Sequence, residues 1–127
     1  MMNEQAGKIQ DAELEIMKTL WAAGEPMQLA DIRRELAERR GWEDSTVKTL
    51  LRRLETKGAV KLQSRGVYAA VITENEYSAS TTQAFLNKLY EGSAKKLVAS
   101  LVSGGKLSAG DIEELSAMFN GREDGDG

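Results

Sequence analysis

Residues 42–73, WEDSTVKTLLRRLETKGAVKLQSRGVYAAVIT, say more about the architecture than any other part of the chain. At about 100° per residue, Val47, Leu50, Leu51 and Leu54 fall on one face, the i, i+3, i+4, i+7 spacing of a stripe buried in a core. The opposite face carries Ser45, Lys48, Thr49, Arg52 and Thr56, with Thr46 and Arg53 on its flanks. Gly58 follows the last apolar position, where helices commonly end in a left-handed turn. Two runs rich in β-branched and apolar residues come next, Ala59 to Gln63 and Val67 to Thr73. Ser64-Arg65-Gly66 joins them, a compact hairpin signal with a cation at its tip.

A cationic helix followed at once by a β-ribbon suits a module that reads DNA. Hydroxyls and cations on a rigid helix can donate to phosphate oxygens and to base edges in a major groove. The candidate DNA-binding residues are therefore Ser45, Thr46, Lys48, Thr49, Arg52 and Arg53 on the helix, with Lys61 and Arg65 on the ribbon. From Lys48 to Arg65 there are six basic residues against the single acid Glu55, a local balance of +5 in a chain whose total is −3. A basic helix face can equally be solvated surface. The concentration of charge on one helix and its ribbon, with short hydroxyl side chains interleaved, favours nucleic acid.

Upstream, Asp11 is a candidate cap for a helix whose inner face is Leu14, Met17, Leu20 and Trp21, ended by a Gly24-Glu25-Pro26 turn. A second helix, about Leu29 to Arg39, buries Leu29, Ile32 and Leu36. Its outer arginines, Arg33, Arg34, Arg39 and Arg40, have Asp31, Glu35 and Glu38 within reach, so ion pairing is expected there before phosphate contact. Gly41 stops that helix, and Trp42-Glu43-Asp44 opens the third, where acids suit the helix N-terminus. Three helices and a hairpin make a winged helix-turn-helix over residues 1–73, in a fold that is mainly α with one small β-hairpin.

Downstream the character changes. Residues 1–73 hold 12 Lys/Arg against 11 Asp/Glu, and residues 74–127 hold 5 against 9. Three short amphipathic helices are expected over 74–120: Glu76 to Tyr90 with Phe85, Leu86, Leu89 and Tyr90, Ala94 to Val102 with Leu97, Val98 and Leu101, and a third with Ile112, Leu115, Met118 and Phe119. Ser108, followed three residues later by Asp111, caps the third. Helices this short are rarely stable alone, and so few residues build little core of their own. Burial against a second copy is the expected solution, which makes this a dimerisation region. Packing back onto the winged helix is the rival. The terminal GREDGDG, residues 121–127, is polar, acidic and glycine-rich, the composition of a disordered tail.

Composition removes most enzymes. With no cysteine and no histidine there are no thiolate or imidazole metal ligands, no thiol redox chemistry and no His-dependent triad, and no metal or cofactor is expected. Glu113 and Glu114 are adjacent on an exposed helix face, and no phosphate loop or nucleophile elbow is present. The start MMNEQAGKIQ has no apolar run of a signal peptide, and no stretch of about 18 apolar residues could span a membrane, so a soluble cytoplasmic protein is expected. A sequence pI near 5.1 leaves nucleic acid open, since affinity follows the local patch. A winged helix can also serve as a protein-interaction module without specific DNA binding. The hydroxyl and cationic composition of its outward face argues for DNA.

Three stretches, IQDAELEIMKTLW, WEDSTVKTLLRRLETKG and FLNKLYEGSAKKLVASLV with LSAGDIEEL, resemble the penicillinase-repressor family of BlaI/MecI repressors and their CopY relatives. The family's third-helix pattern is met by Thr46, Val47, Lys48, Thr49, Leu50, Arg53, Leu54, Lys57 and Gly58. The resemblance implies a homodimeric repressor whose two winged helices bind the halves of a palindromic double-stranded operator. It places base contacts at Ser45, Thr46 and Lys48, with Thr49, Arg52 and the wing around Arg65 nearer the backbone. Copper-responsive relatives release DNA through clustered cysteines, which this chain lacks. The antibiotic-responsive ones are cut in the dimerisation region by a membrane sensor protease, at an Asn-Phe bond in the best-known cases. The equivalent bond here is Ser100-Leu101.

Overall fold

The computed structural model describes residues 9–126, with side chains described as far as Gly121. The first residues of the start read above as lacking a signal sequence, 1–8, and the final glycine of the tail lie outside the described residues.

Helix α1 spans Asp11–Ala23. Its cap is Gln10 rather than Asp11: the Gln10 N–H donates to Glu13 Oε1 at 2.9 Å, and Asp11 sits in the first turn, where its charge still suits the helix dipole. The buried stripe is Glu13, Ile16, Met17 and Leu20, while Leu14 and Trp21 are only half-buried. The inward face is thus rotated from the one expected, because a glutamate occupies one of its positions. Glu13 is 1% exposed and accepts from Lys57 Nζ at 2.5 Å, so the charge that hid this position from a hydrophobic pattern is neutralised from the far end of the third helix. Gly24 ends α1 at φ 72°, its N–H bonded to the Leu20 carbonyl.

Strand β1, Met27–Gln28, has no signal in the sequence, because two residues are too few for an alternation pattern to register. Helix α2, Leu29–Arg40, buries Ile32 and Leu36, with Leu29 half-buried, and Gly41 closes it at φ 69°. Helix α3, Asp44–Thr56, buries Val47, Leu50, Leu51 and Leu54. Strands β2, Val60–Ser64, and β3, Val67–Ala70, form the wing, and β1 pairs antiparallel with β3 to give the order β1-β3-β2. Lys61 faces Ala69 and Leu62 faces Tyr68, and a register irregularity between Leu62 and Ser64 precedes the tip. The Gly66 carbonyl accepts from Leu29 N at 2.8 Å, which ties the wing to the start of α2. Strand β3 stops short of the expected Thr73 because the next backbone groups have other partners. Val71 N donates to the Ala59 carbonyl, and the Ile72 carbonyl accepts from Trp21 Nε1 at 2.9 Å.

Helix α4, Glu74–Tyr90, begins two residues before the expected start. The Thr73 N–H donates to Glu76 Oε1 and the Glu76 N–H to Thr73 Oγ1, a reciprocal cap that holds the Glu76 carboxyl below the usual carboxylate range, chiefly through the Thr73 backbone N–H. The chain divides into two compact units inside this helix, between Ala84 and Phe85, rather than at the 73/74 boundary read from composition. The reason is Tyr77, which packs on the first unit's core with its ring 5.7 Å from that of Trp21.

The second unit contains the end of α4, helix α5, Ala94–Ser103, and helix α6, Ala109–Asp126. Ser93 caps α5 by accepting from Lys96 N, and Ser108 and Asp111 exchange hydrogen bonds at the start of α6 as expected. The α6 backbone is helical over residues 121–126, where a disordered tail was expected. Extending an existing helix adds a hydrogen bond for each residue fixed, and no proline interrupts it.

Candidate nucleic-acid interface

The candidate recognition face is built by α3. With Val47, Leu50, Leu51 and Leu54 fully or nearly buried, helix geometry turns Ser45, Thr46, Lys48, Thr49, Arg52 and Arg53 to solvent, and all six are exposed. None of their side chains has a hydrogen-bond or ion-pair partner among the described residues. That separates them from the arginines of α2, which are engaged. Arg34 pairs with Asp31, and Arg39 with Glu35 at 3.5 Å. Arg40 makes a two-point contact with Glu15 of α1, Nε to Oε1 at 3.3 Å and Nη2 to Oε2 at 2.9 Å. Arg39 also reaches Thr19 Oγ1 at 2.6 Å and Glu15 at 3.9 Å. The expected ion pairing of α2 is therefore present, but much of it runs across helices to Glu15 rather than to Glu38.

Arg33 differs from the other arginines of α2 in having as its partner Asp44, in the first turn of α3, with Nε 3.6 Å from Oδ1. No local i, i+3 or i, i+4 spacing could reveal this pair, which exists only because the α2–α3 turn folds the two helices together. The Glu13–Lys57 pair escaped for the same reason.

On the wing, Arg65 is exposed at the tip beside Gly66, whose φ of 72° makes the tight reversal. Lys61 has a different setting. Strand alternation turns it away from Val60, which is buried in the core cluster that α3 also lines. Lys61 lines a recess with Trp21, Glu25, Pro26 and Glu74, two of them acids.

In the second unit Leu86 is the buried apolar residue of α4, while Tyr90, Leu97 and Leu101 are half-buried. Phe85, Leu89, Val98, Ile112, Leu115 and Phe119 are exposed, as are Val102 and Met118. Phe119 is 66% and Leu89 57% exposed, far more than an amphipathic helix leaves open when its stripe has found a core. Val98, Leu107, Ile112, Leu115 and Phe119 line one continuous groove. Ser100 is exposed in the last turn of α5, with its Oγ accepting from Tyr90 OH at 3.2 Å. Among the described residues no helix is long and apolar enough to cross a membrane.

Comparison with known proteins adds to this geometry. A family model described as Penicillinase repressor matches residues 9–121. The penicillinase repressor of Bacillus licheniformis is 33% identical over 111 residues, covering 85% of this chain and 86% of that protein. The methicillin resistance regulatory protein MecI of Mammaliicoccus sciuri is 30% identical over 122 residues, covering 94% of this chain and 98% of that protein. Among solved structures, the solution structure of the DNA-binding domain of the repressor BlaI matches with a TM-score of 0.50 and 36% identity, over 55% of this chain and 88% of that one.

Proposed function

Because the chain belongs to the penicillinase-repressor family, a family of transcriptional repressors and not of enzymes, we propose that it represses by binding a palindromic DNA operator as a homodimer. Each copy would lay α3 in a major groove of one half-site. The observation that carries this reading is the outward face of α3: hydroxyls and cations from Ser45 to Arg53, all exposed and none engaged within the described residues. Side chains without internal partners give up no intramolecular contact when they turn to phosphates and base edges, whereas the paired arginines of α2 would first have to break theirs. Ser45, Thr46 and Lys48, at the N-terminal end of α3, are the base-reading group, and Thr49, Arg52, Arg53 and Arg65 are the phosphate group. Lys61 is the weakest member of the set, given the acids around it.

Dimerisation is assigned to the second unit, whose apolar side chains are left uncovered within one chain. A second copy could cover them without first ordering the backbone, since they already sit on formed helices. Relief of repression is assigned to cleavage at Ser100-Leu101 by a membrane sensor protease. Proteases take substrates in extended form, so a helical bond must first open. This one lies in the last turn of a ten-residue helix followed by Gly104 and Gly105, so opening it breaks the end-of-helix bonds from Gly104 N–H to the Ser100 carbonyl and from Lys106 N–H to the Leu101 carbonyl and leaves the helix interior in place.

The test is selection from a random duplex library. The intact chain should enrich a sequence with two-fold symmetry whose half-sites lie one helical turn, about 34–36 Å, or a multiple of it apart. A fragment of residues 1–100 should bind that duplex at least about 100-fold more weakly, since two linked half-sites gain from effective concentration. Enrichment of no sequence by the intact chain would reassign the winged helix to protein interaction. Undiminished binding by the fragment would leave repression standing but remove cleavage as its control.

A further inference from the structure

Asp44 works against the surface that α3 presents. It is a carboxylate, 67% exposed at its side chain, in the first turn of a helix whose other exposed residues through Arg53 are hydroxyls and cations. Beside duplex DNA it would be repelled by the phosphates. It also stands four residues before Lys48, and an acid N-terminal to a lysine at i, i+4 is the favourable order for a pair within a helix. Glu43, also exposed, has a different place: it is the N-cap, and its i+4 neighbour is the buried Val47. Left to local forces, Asp44 would take Lys48 and withdraw a base-reading cation.

The fold supplies another partner. Arg33 reaches from α2 to place Nε 3.6 Å from Asp44 Oδ1, and it is itself only 30% exposed, held beside the buried Ile32. Lys48 makes no ion pair among the described residues. We propose that Arg33 is a positioning residue for DNA binding: by taking Asp44 it neutralises the one carboxylate in the first turn of α3 and leaves Lys48 extended toward the groove. This rests on the reading of α3 as the DNA-contacting helix. It differs from a direct phosphate contact, in which Arg33 would act on DNA without reference to Asp44.

A double-mutant cycle separates the two. The intact chain, Arg33→Gln, Asp44→Asn, the double variant and Arg33→Lys are titrated against a random-sequence duplex and against the duplex enriched by selection, with urea unfolding of each variant to establish that it is folded. Glutamine keeps the aliphatic stem of Arg33 and lacks its charge. Arg33→Gln should weaken binding about 5–10-fold, Asp44→Asn alone should change it less than about 2-fold, and the double variant should return to within about 2-fold of the intact chain. Arg33→Lys, which can still reach a carboxylate, should keep most of the affinity. The proposal is overturned if Arg33→Gln has no effect, if the double variant is as weak as Arg33→Gln alone, or if Asp44→Asn strengthens binding equally with and without Arg33. Failure of the intact chain to bind either duplex would remove the DNA-binding reading and this inference with it, whereas binding with an additive cycle removes the inference alone.

Discussion

Glu15 shows how a single side chain joins two elements. Its carboxylate receives Arg40 in a two-point contact and has Arg39 at 3.9 Å, so α1 holds the C-terminal end of α2 just before the turn into α3. The hydrogen bond from Arg40 holds the Glu15 carboxyl below the usual carboxylate range; partial burial opposes the shift, and the charges of Arg40, Lys18 and Arg39 add to it. A carboxyl with a depressed folded-state pKa contributes stability above its unfolded value of about 4.3, and that contribution disappears as pH falls through the folded value. Arg40→Ala should therefore lower the urea midpoint at neutral pH and have little effect well below the glutamate range. An equal loss at both pH values would mean that Arg40 stabilises by packing alone.

Thr46 and Lys48 belong to the same scale. Substituting either by alanine should cost roughly 1–3 kcal/mol on a selected half-site and much less on random duplex, the behaviour of lost base contacts. Equal weakening on both would move them to the phosphate group.

At the scale of the element, the proposed DNA contact joins α3 to the tip of the wing. Each cation that neutralises a phosphate releases condensed counterions, so Arg52→Ala or Arg65→Ala should reduce the magnitude of the log–log salt slope by about 0.9 each. Lys61→Ala should change the slope less than either, because alternation along β2 turns Lys61 into a recess shared with Glu25 and Glu74. Anisotropy titrations over a range of salt concentrations measure all three, and a Lys61 effect equal to that of Arg65 would return it to the interface.

For the molecule as a whole, the first unit has a closed core and the second does not. Ile16, Met17, Ile32, Leu36, Val47, Leu51 and Leu54 are essentially inaccessible, whereas the apolar residues of α5 and α6 are half-buried at best. Replacing Leu89 and Phe119 together by glutamate should yield a monomer that keeps its helical content, since both side chains are already exposed within one chain and lose little packing there. Sedimentation of an unchanged dimer would place the subunit contact elsewhere.

The helices and the wing were legible because their signals are local. The i, i+3, i+4, i+7 stripe of α3, the left-handed glycines at 24, 41 and 58, and the Ser108–Asp111 cap each lie within a few residues of what they control. The outward α3 residues followed from the same periodicity, since naming the buried face of a helix names the exposed one. Tertiary structure alone decided the features that join distant segments. A charged residue in the α1 core is tolerable because Lys57 meets Glu13 across 44 positions of sequence. Strand β1 exists because β3 supplies the hydrogen bonds that two residues cannot supply for themselves. The unit boundary moved into α4 because Tyr77 found Trp21. Asp44 is answered by Arg33, and Lys61 lines a recess with Glu25 and Glu74; neither follows from spacing along the chain, because distance in space is encoded by sequence separation only within a helical turn.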